Sequence, residues 1–95
     1  MATYLLFIRD RIREEAPMAE YSKMAQASLA GHQFEPLILY GAAETLEGAE
    51  VEGVVLFKFA DKAAAMAWYN GPEYTEARKI RNLNSDYRVA VLEGI

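Results

Sequence analysis

The stretch Phe59–Arg81, FADKAAAMAWYNGPEYTEARKIR, decides how this chain reads. Asp61 suits the N-cap of a helix, where its carboxylate accepts from free backbone N–H groups. Lys62 to Asn70 is alanine-rich and so strongly helical. Asn70-Gly71-Pro72 breaks that helix. Proline tolerates the first turn of a new one, which continues to about Leu83. Trp68, Tyr69 and Tyr74 bunch at the break, where aromatics can form one wall of a pocket. Tyr74, Ala77 and Arg81 follow at i, i+3 and i+7, a single stripe that should face the protein.

On either side of this segment the pattern shifts to strands. Val54 to Phe59 is a continuous apolar run interrupted only by Lys58, and it follows a turn bracketed by Gly48 and Gly53. Tyr87 to Leu92 is a strand ended by Gly94. Toward the N-terminus, Thr3 to Arg11 is a strand centred on Tyr4-Leu5-Leu6-Phe7-Ile8. Pro17 opens a helix whose Met18, Tyr21, Met24 or Ala25, and Leu29 recur at helical spacing. Gly31 ends it. Phe34 to Ala43 is a further strand. Pro36 has no donor N–H, which places its start at an edge or a bulge. The order is β-α-β-β-α-β, a ferredoxin-like α+β arrangement: a four-stranded antiparallel sheet with its helices on one face.

The 95 residues, 53% apolar and 25% charged, form one globular domain over positions 1–95. There is no cysteine, which excludes disulfides, thiolate metal sites and cysteine nucleophiles. One histidine cannot build a multi-histidine metal site, so no metal is expected. With 14 acids against 10 bases and no clustered basic face, nucleic-acid binding is not expected. The apolar run Tyr4–Ile8 is too short to cross a membrane and lacks a cleavage site, so the expected location is cytoplasmic.

A half-solvated antiparallel strand alternates apolar with polar residues, and two strands here do not. Val55, Phe57 and Phe59 point one way, Val54 and Leu56 the other. Leu5 and Phe7 oppose Tyr4, Leu6 and Ile8. Helices cover only one face. Leaving the other wet would forgo on the order of 10–20 kcal/mol, more than a domain of this size can spare. A second copy packed sheet against sheet is the simplest cover. The expected assembly is therefore a homodimer with its pocket between the sheets. Lys58 and Tyr40 are expected on that side.

The residues Phe59-Ala60-Asp61, Ala64, Ala67-Trp68-Tyr69, Gly71-Pro72-Glu73-Tyr74 and Arg81 resemble the signature of the domain of unknown function 1330 family. Leu46-Glu47-Gly48 and Leu92-Glu93-Gly94 are similar to it as well. The resemblance implies the dimeric α+β barrel superfamily, whose members include small monooxygenases, isomerases such as muconolactone isomerase, and haem-binding enzymes. It implies no particular reaction and no particular cofactor.

Arg81 is the leading candidate site residue. It needs an acid (Asp86, Glu47 or Glu93), carbonyl groups or a bound anion, because an unpaired buried charge is costly. Tyr74 and Trp68 are candidates for the pocket wall, with Tyr40 and Lys58 as further lining. His32 is the one side chain titrating near neutrality without help, and it is the only basis for a general base or haem ligand. The clustered Glu44, Glu47, Glu50 and Glu52 read as a solvated face. These features point to a binder of a small, partly apolar, anionic molecule. By analogy it would be a cofactor-independent isomerase or oxygenase. The alternative is a non-catalytic dimeric scaffold or regulator.

Overall fold

A computed structural model describes residues 2–95. Its elements run β1 (Thr3–Ile12), α1 (Glu15–Ser28), β2 (Glu35–Leu39), β3 (Gly53–Phe59), α2 (Lys62–Tyr69), α3 (Pro72–Asn84) and β4 (Ser85–Glu93). The strands form one four-stranded sheet in the order β2-β3-β1-β4, with β1 antiparallel to both β3 and β4, and β2 antiparallel to β3. This is the ferredoxin-like arrangement, with the second helical segment divided into α2 and α3 at Gly71-Pro72.

The two faces of the sheet separate by alternation. Leu5 and Phe7 of β1 and Val55, Phe57 and Phe59 of β3 are buried under the helices, together with Ala65, Trp68, Tyr74 and Ala77. Tyr4, Leu6 and Ile8, paired with Lys58, Leu56 and Val54, lie on the opposite face and are half-buried. Ile38 and Leu92 extend that face and are 42% and 43% exposed. An apolar surface of this kind on one side of the sheet is what the strand pattern required.

The caps follow ordinary chemistry. Asp61 Oδ1 accepts from the Ala64 N–H at 2.8 Å, closing the first turn of α2. Gly31 takes φ +83°, the left-handed value expected just past a helix end. The start of α1 has no side-chain cap. It is held instead by the end of α3: the Arg13 and Glu14 N–H groups both donate to Asn84 O, at 2.8 and 3.1 Å. The Arg13 guanidinium donates to the carbonyls of Asn82, Leu83 and Ser85 and to Asp86. A cation on the last carbonyls of a helix also opposes the negative end of its dipole.

Strand β2 departs from its expected length. It ends at Leu39, not Ala43. The register slips between Pro36 and Ile38, a bulge at the donor-less proline on an edge strand, as anticipated. Tyr40 then takes φ +55°, a left-handed value that turns the chain out of the sheet. Bulge and turn together change which face the following side chain meets.

Candidate functional site

Trp68 and Tyr74 flank the α2–α3 break, and the break brings their rings to 4.2 Å between centroids. Tyr69 lies 5.5 Å from Tyr74. Phe7 and Phe57 of the sheet meet Trp68 edge-on at 6.1 and 5.8 Å. Trp68 is fixed further by its Nε1–H, which donates to Ser28 Oγ of α1 at 2.9 Å. Buried indole and phenol groups need such partners.

Helix α1 packs chiefly along α3 and stands away from the β2 end of the sheet. A cavity of about 440 Å³ opens in that gap. Phe7, Val55 and Phe57 form its floor, Tyr21, Ala25 and Leu29 of α1 one wall, and Trp68 and Tyr74 the back. Phe34, Pro36, Leu39 and Tyr40 close the β2 side, and Ser22 and Gln26 stand at the rim. The volume lies in the range of small-molecule sites, and the lining is apolar with few polar points.

Those polar points are phenols. The Tyr21 and Tyr74 hydroxyls share a hydrogen bond of 2.8 Å, and Arg81 Nη1 donates to Tyr74 Oη at 3.1 Å. At the rim the Tyr40 and Tyr87 hydroxyls share a bond of 2.7 Å, with the Arg9 guanidinium 4.4 Å above the Tyr40 ring. Burial pushes the Tyr21 and Tyr40 phenols well above the usual tyrosine range, and each one's hydroxyl partner adds to the shift. Burial also raises Tyr74, against the opposing pull of Arg81. These hydroxyls are therefore neutral around pH 7 and serve as hydrogen-bonding groups.

The candidate residues thus divide. Trp68, Tyr74 and Tyr40 line the cavity. Arg81 stands one hydrogen bond behind it, bonded to Tyr74 and to Asn82 Oδ1 at 3.2 Å. Lys58 lies on the opposite sheet face, beside Glu35 at a shallow depression with Gln33 and Phe34. His32 is in the turn after α1, its N–H bonded to Leu29 O at 3.1 Å, and lines neither space. Tyr40, expected on the opposite face, is on the helix side because of the bulge and the left-handed turn. The cavity of the single chain is also on that side, between α1 and the sheet; a space between two sheets belongs to an assembled dimer. Arg81 does not pair with Asp86, Glu47 or Glu93: Asp86 is taken by Arg11 and Arg13, each at 3.1 Å.

Tyr21, Phe34 and Leu39 were not singled out as site residues. Tyr21 was legible only as one member of the apolar stripe of α1, though a phenol in such a stripe must find a polar partner. Among the described residues there is no group of three His, Cys, Asp or Glu able to hold a metal, and no helix is long and apolar enough to cross a membrane.

Fold and site together define a ferredoxin-like α+β protein with an aromatic cavity between helix and sheet. The chain belongs to the family described as Domain of unknown function (DUF1330), whose model matches residues 2–95. Of the residues that carried the resemblance, Trp68 and Tyr74 line the cavity and Arg81 is bonded to Tyr74 behind it. No curated protein matches the chain. Among solved structures it is similar to a protein of unknown function from Rhodopseudomonas palustris, with TM-score 0.77 and 18% identity, covering 99% of this chain and 82% of that one. It is also similar to a dimeric ferredoxin-like protein of unknown function from Jannaschia sp. CCS1, with TM-score 0.66 and 20% identity over 99% and 100% of the two chains. A Dabb family protein from Mesorhizobium loti gives TM-score 0.64 and 12% identity over 99% and 97%. At these identities the likeness is one of fold.

Proposed function

We propose that the protein is a homodimer whose subunits each bind one small, largely apolar organic molecule in the cavity between α1 and the sheet. The observation that carries the binding reading is a space of about 440 Å³ walled by aromatic rings and marked by the phenols of Tyr21 and Tyr40. Trp68, Tyr74 and Tyr40 would touch the ligand, and Arg81 would act on it through Tyr74. Lys58 and His32 take no part in this site. Dimerisation is supported by the apolar sheet face of Leu6, Ile8, Val54, Leu56, Ile38 and Leu92. It is supported too by the dimeric state given for the Jannaschia relative.

Native mass spectrometry and a metabolite-library titration followed by Trp68 fluorescence test both parts. A dimer mass and a saturable fluorescence change are expected. A monomer across micromolar concentrations would sink the assembly, and no saturable response from any compound would count against the cavity as a binding site. If the protein is an enzyme, superfamily analogy favours cofactor-independent isomerisation or oxygenation. The phenols of Tyr21, Tyr40 and Tyr74 are hydrogen-bonded and held neutral, which favours binding over proton abstraction. That observation supports the second reading, a non-catalytic ligand-responsive regulator.

A further inference from the structure

Arg81 is 4% exposed, and among the described residues no carboxylate pairs with it. Its Nε has no hydrogen-bond partner there. The rings of Tyr87 and Phe7, at 5.0 and 5.9 Å from the guanidinium carbon, offer only the weak compensation of cation–π contact. A buried guanidinium stays charged, so this corner of the molecule has a positive charge and no matching anion.

The hydrogen bonds lead from that charge to the cavity. Arginine has donors only, so Tyr74 Oη accepts from Arg81. The Tyr74–Tyr21 hydrogen bond, 2.8 Å, can take its proton from either phenol. In the arrangement where Tyr74 donates, Tyr21 keeps a free proton, and both phenols line the cavity. Each link polarises the next, which makes the last proton a stronger donor. The other groups around the cluster bring no negative charge. Tyr69 of α2, Tyr87 of β4 and Tyr40 after β2 are phenols. Arg9 of β1 is a second cation, paired with Glu52 at 2.9 Å.

We propose that Tyr21 is an oxyanion-binding point, and that the cavity takes a planar aromatic or conjugated molecule bearing a weakly acidic hydroxyl, a phenol or an enol, in its ionised form. The inference rests on the binding reading above. The ligand's oxygen accepts from Tyr21, its proton passes to the buffer, and its charge completes Arg81 through two hydroxyls. Stacking on Trp68 and Phe57 selects a flat ring. Two effects compete at the oxygen. An apolar cavity opposes ionisation, as it does for Tyr21 itself, while fixed donors backed by a cation favour it.

The test uses para-nitrophenol, whose ionised form has its own visible absorption, with nitrobenzene as the counterpart that cannot ionise. Calorimetry measures binding of both, and an absorbance titration of the saturated protein measures ionisation of the bound probe. The bound phenol should ionise about one pH unit lower than in water, equivalent to about tenfold tighter binding of the phenolate. In Tyr21→Phe nitrobenzene binding should persist while the phenol's shift disappears or reverses. Tyr74→Phe should do the same, because it cuts the relay while leaving Tyr21 in the wall. Saturable binding with no downward shift in the wild-type protein overturns the oxyanion assignment and leaves the binding reading standing. An unchanged shift in Tyr74→Phe overturns the relay. Binding of neither probe overturns both.

Discussion

Replacing Ala25 by leucine tests the cavity by filling it. Ala25 lies on the face of α1 that lines the space, partly buried against the core. Leucine adds about three carbons, worth about 0.8 kcal/mol each when buried, or roughly 2.4 kcal/mol. Lost rotamer freedom subtracts about 0.5–1 kcal/mol, and helix propensity changes little because leucine ranks close to alanine. The net expectation is a gain of about 1–2 kcal/mol, or roughly 4–15 °C in Tm for a domain of this size. If the space did not exist, the same carbons would overpack the core and cost about 1–3 kcal/mol. The sign therefore decides. Urea and thermal unfolding at fixed protein concentration read it, since dimerisation makes Tm concentration-dependent. Binding of any cavity ligand should weaken in the same variant. A lower Tm with ligand affinity intact would refute both the cavity and its assignment.

Three further outcomes follow from the geometry. In Gly53→Ala the added Cβ would fall 2.7 Å from Tyr40 Cδ1 and 3.3 Å from Arg9 Nη2, so the Tyr40 ring must leave the rim; a loss of about 1–3 kcal/mol in urea unfolding is expected. Ser28→Ala removes the acceptor of the Trp68 Nε1–H and should cost about 1–3 kcal/mol, with a change in Trp68 emission. Tyr21 and Tyr74 ionise less readily in the folded chain than in the unfolded one, mainly through burial. Their contribution is fully present below about pH 10 and is lost above it, by up to about 1.4 kcal/mol per pH unit for each phenol. Urea midpoints that stay flat above pH 10 would show that these phenols titrate freely when folded.

Legibility in the sequence tracked the range of the interactions involved. The elements could be read because each rests on local chemistry: alanines in α2, Asp61 as its cap, Pro72 opening α3, short apolar runs in β1 and β3. The faces of Phe57 and Leu56 followed from alternation alone. The face of Tyr40 did not, because one extra residue at the Pro36 bulge and a left-handed turn reset the alternation locally. Arg81 was legible as a buried cation, since its stripe also holds Tyr74 and Ala77. Its partner was not. Salt bridges depend on which segment reaches the charge, and Asp86 is held by Arg11 at the end of β1 and Arg13 on the β1–α1 connection. The cavity itself accompanies the packing of α1 along α3, a tertiary choice that helical spacing does not encode.

The clasp between the β1–α1 connection and the end of α3 anchors the N-terminal end of α1. The two residues just before the helix are bound to the carbonyls of residues 82–85 by the Arg13 guanidinium and by the Arg13 and Glu14 backbone N–H groups. The cavity lies under its far half, where Tyr21, Ala25 and, at its C-terminal cap, Leu29 line the space and Ser22 and Gln26 stand at the rim. There the side-chain ties to the rest of the fold are the Tyr21–Tyr74 and Ser28–Trp68 bonds. The two ends of α1 are therefore tied to the fold by different means, main-chain and guanidinium bonds at one and two side-chain hydrogen bonds beside the space at the other. Both of those side-chain bonds are made by residues that line the space or support its wall.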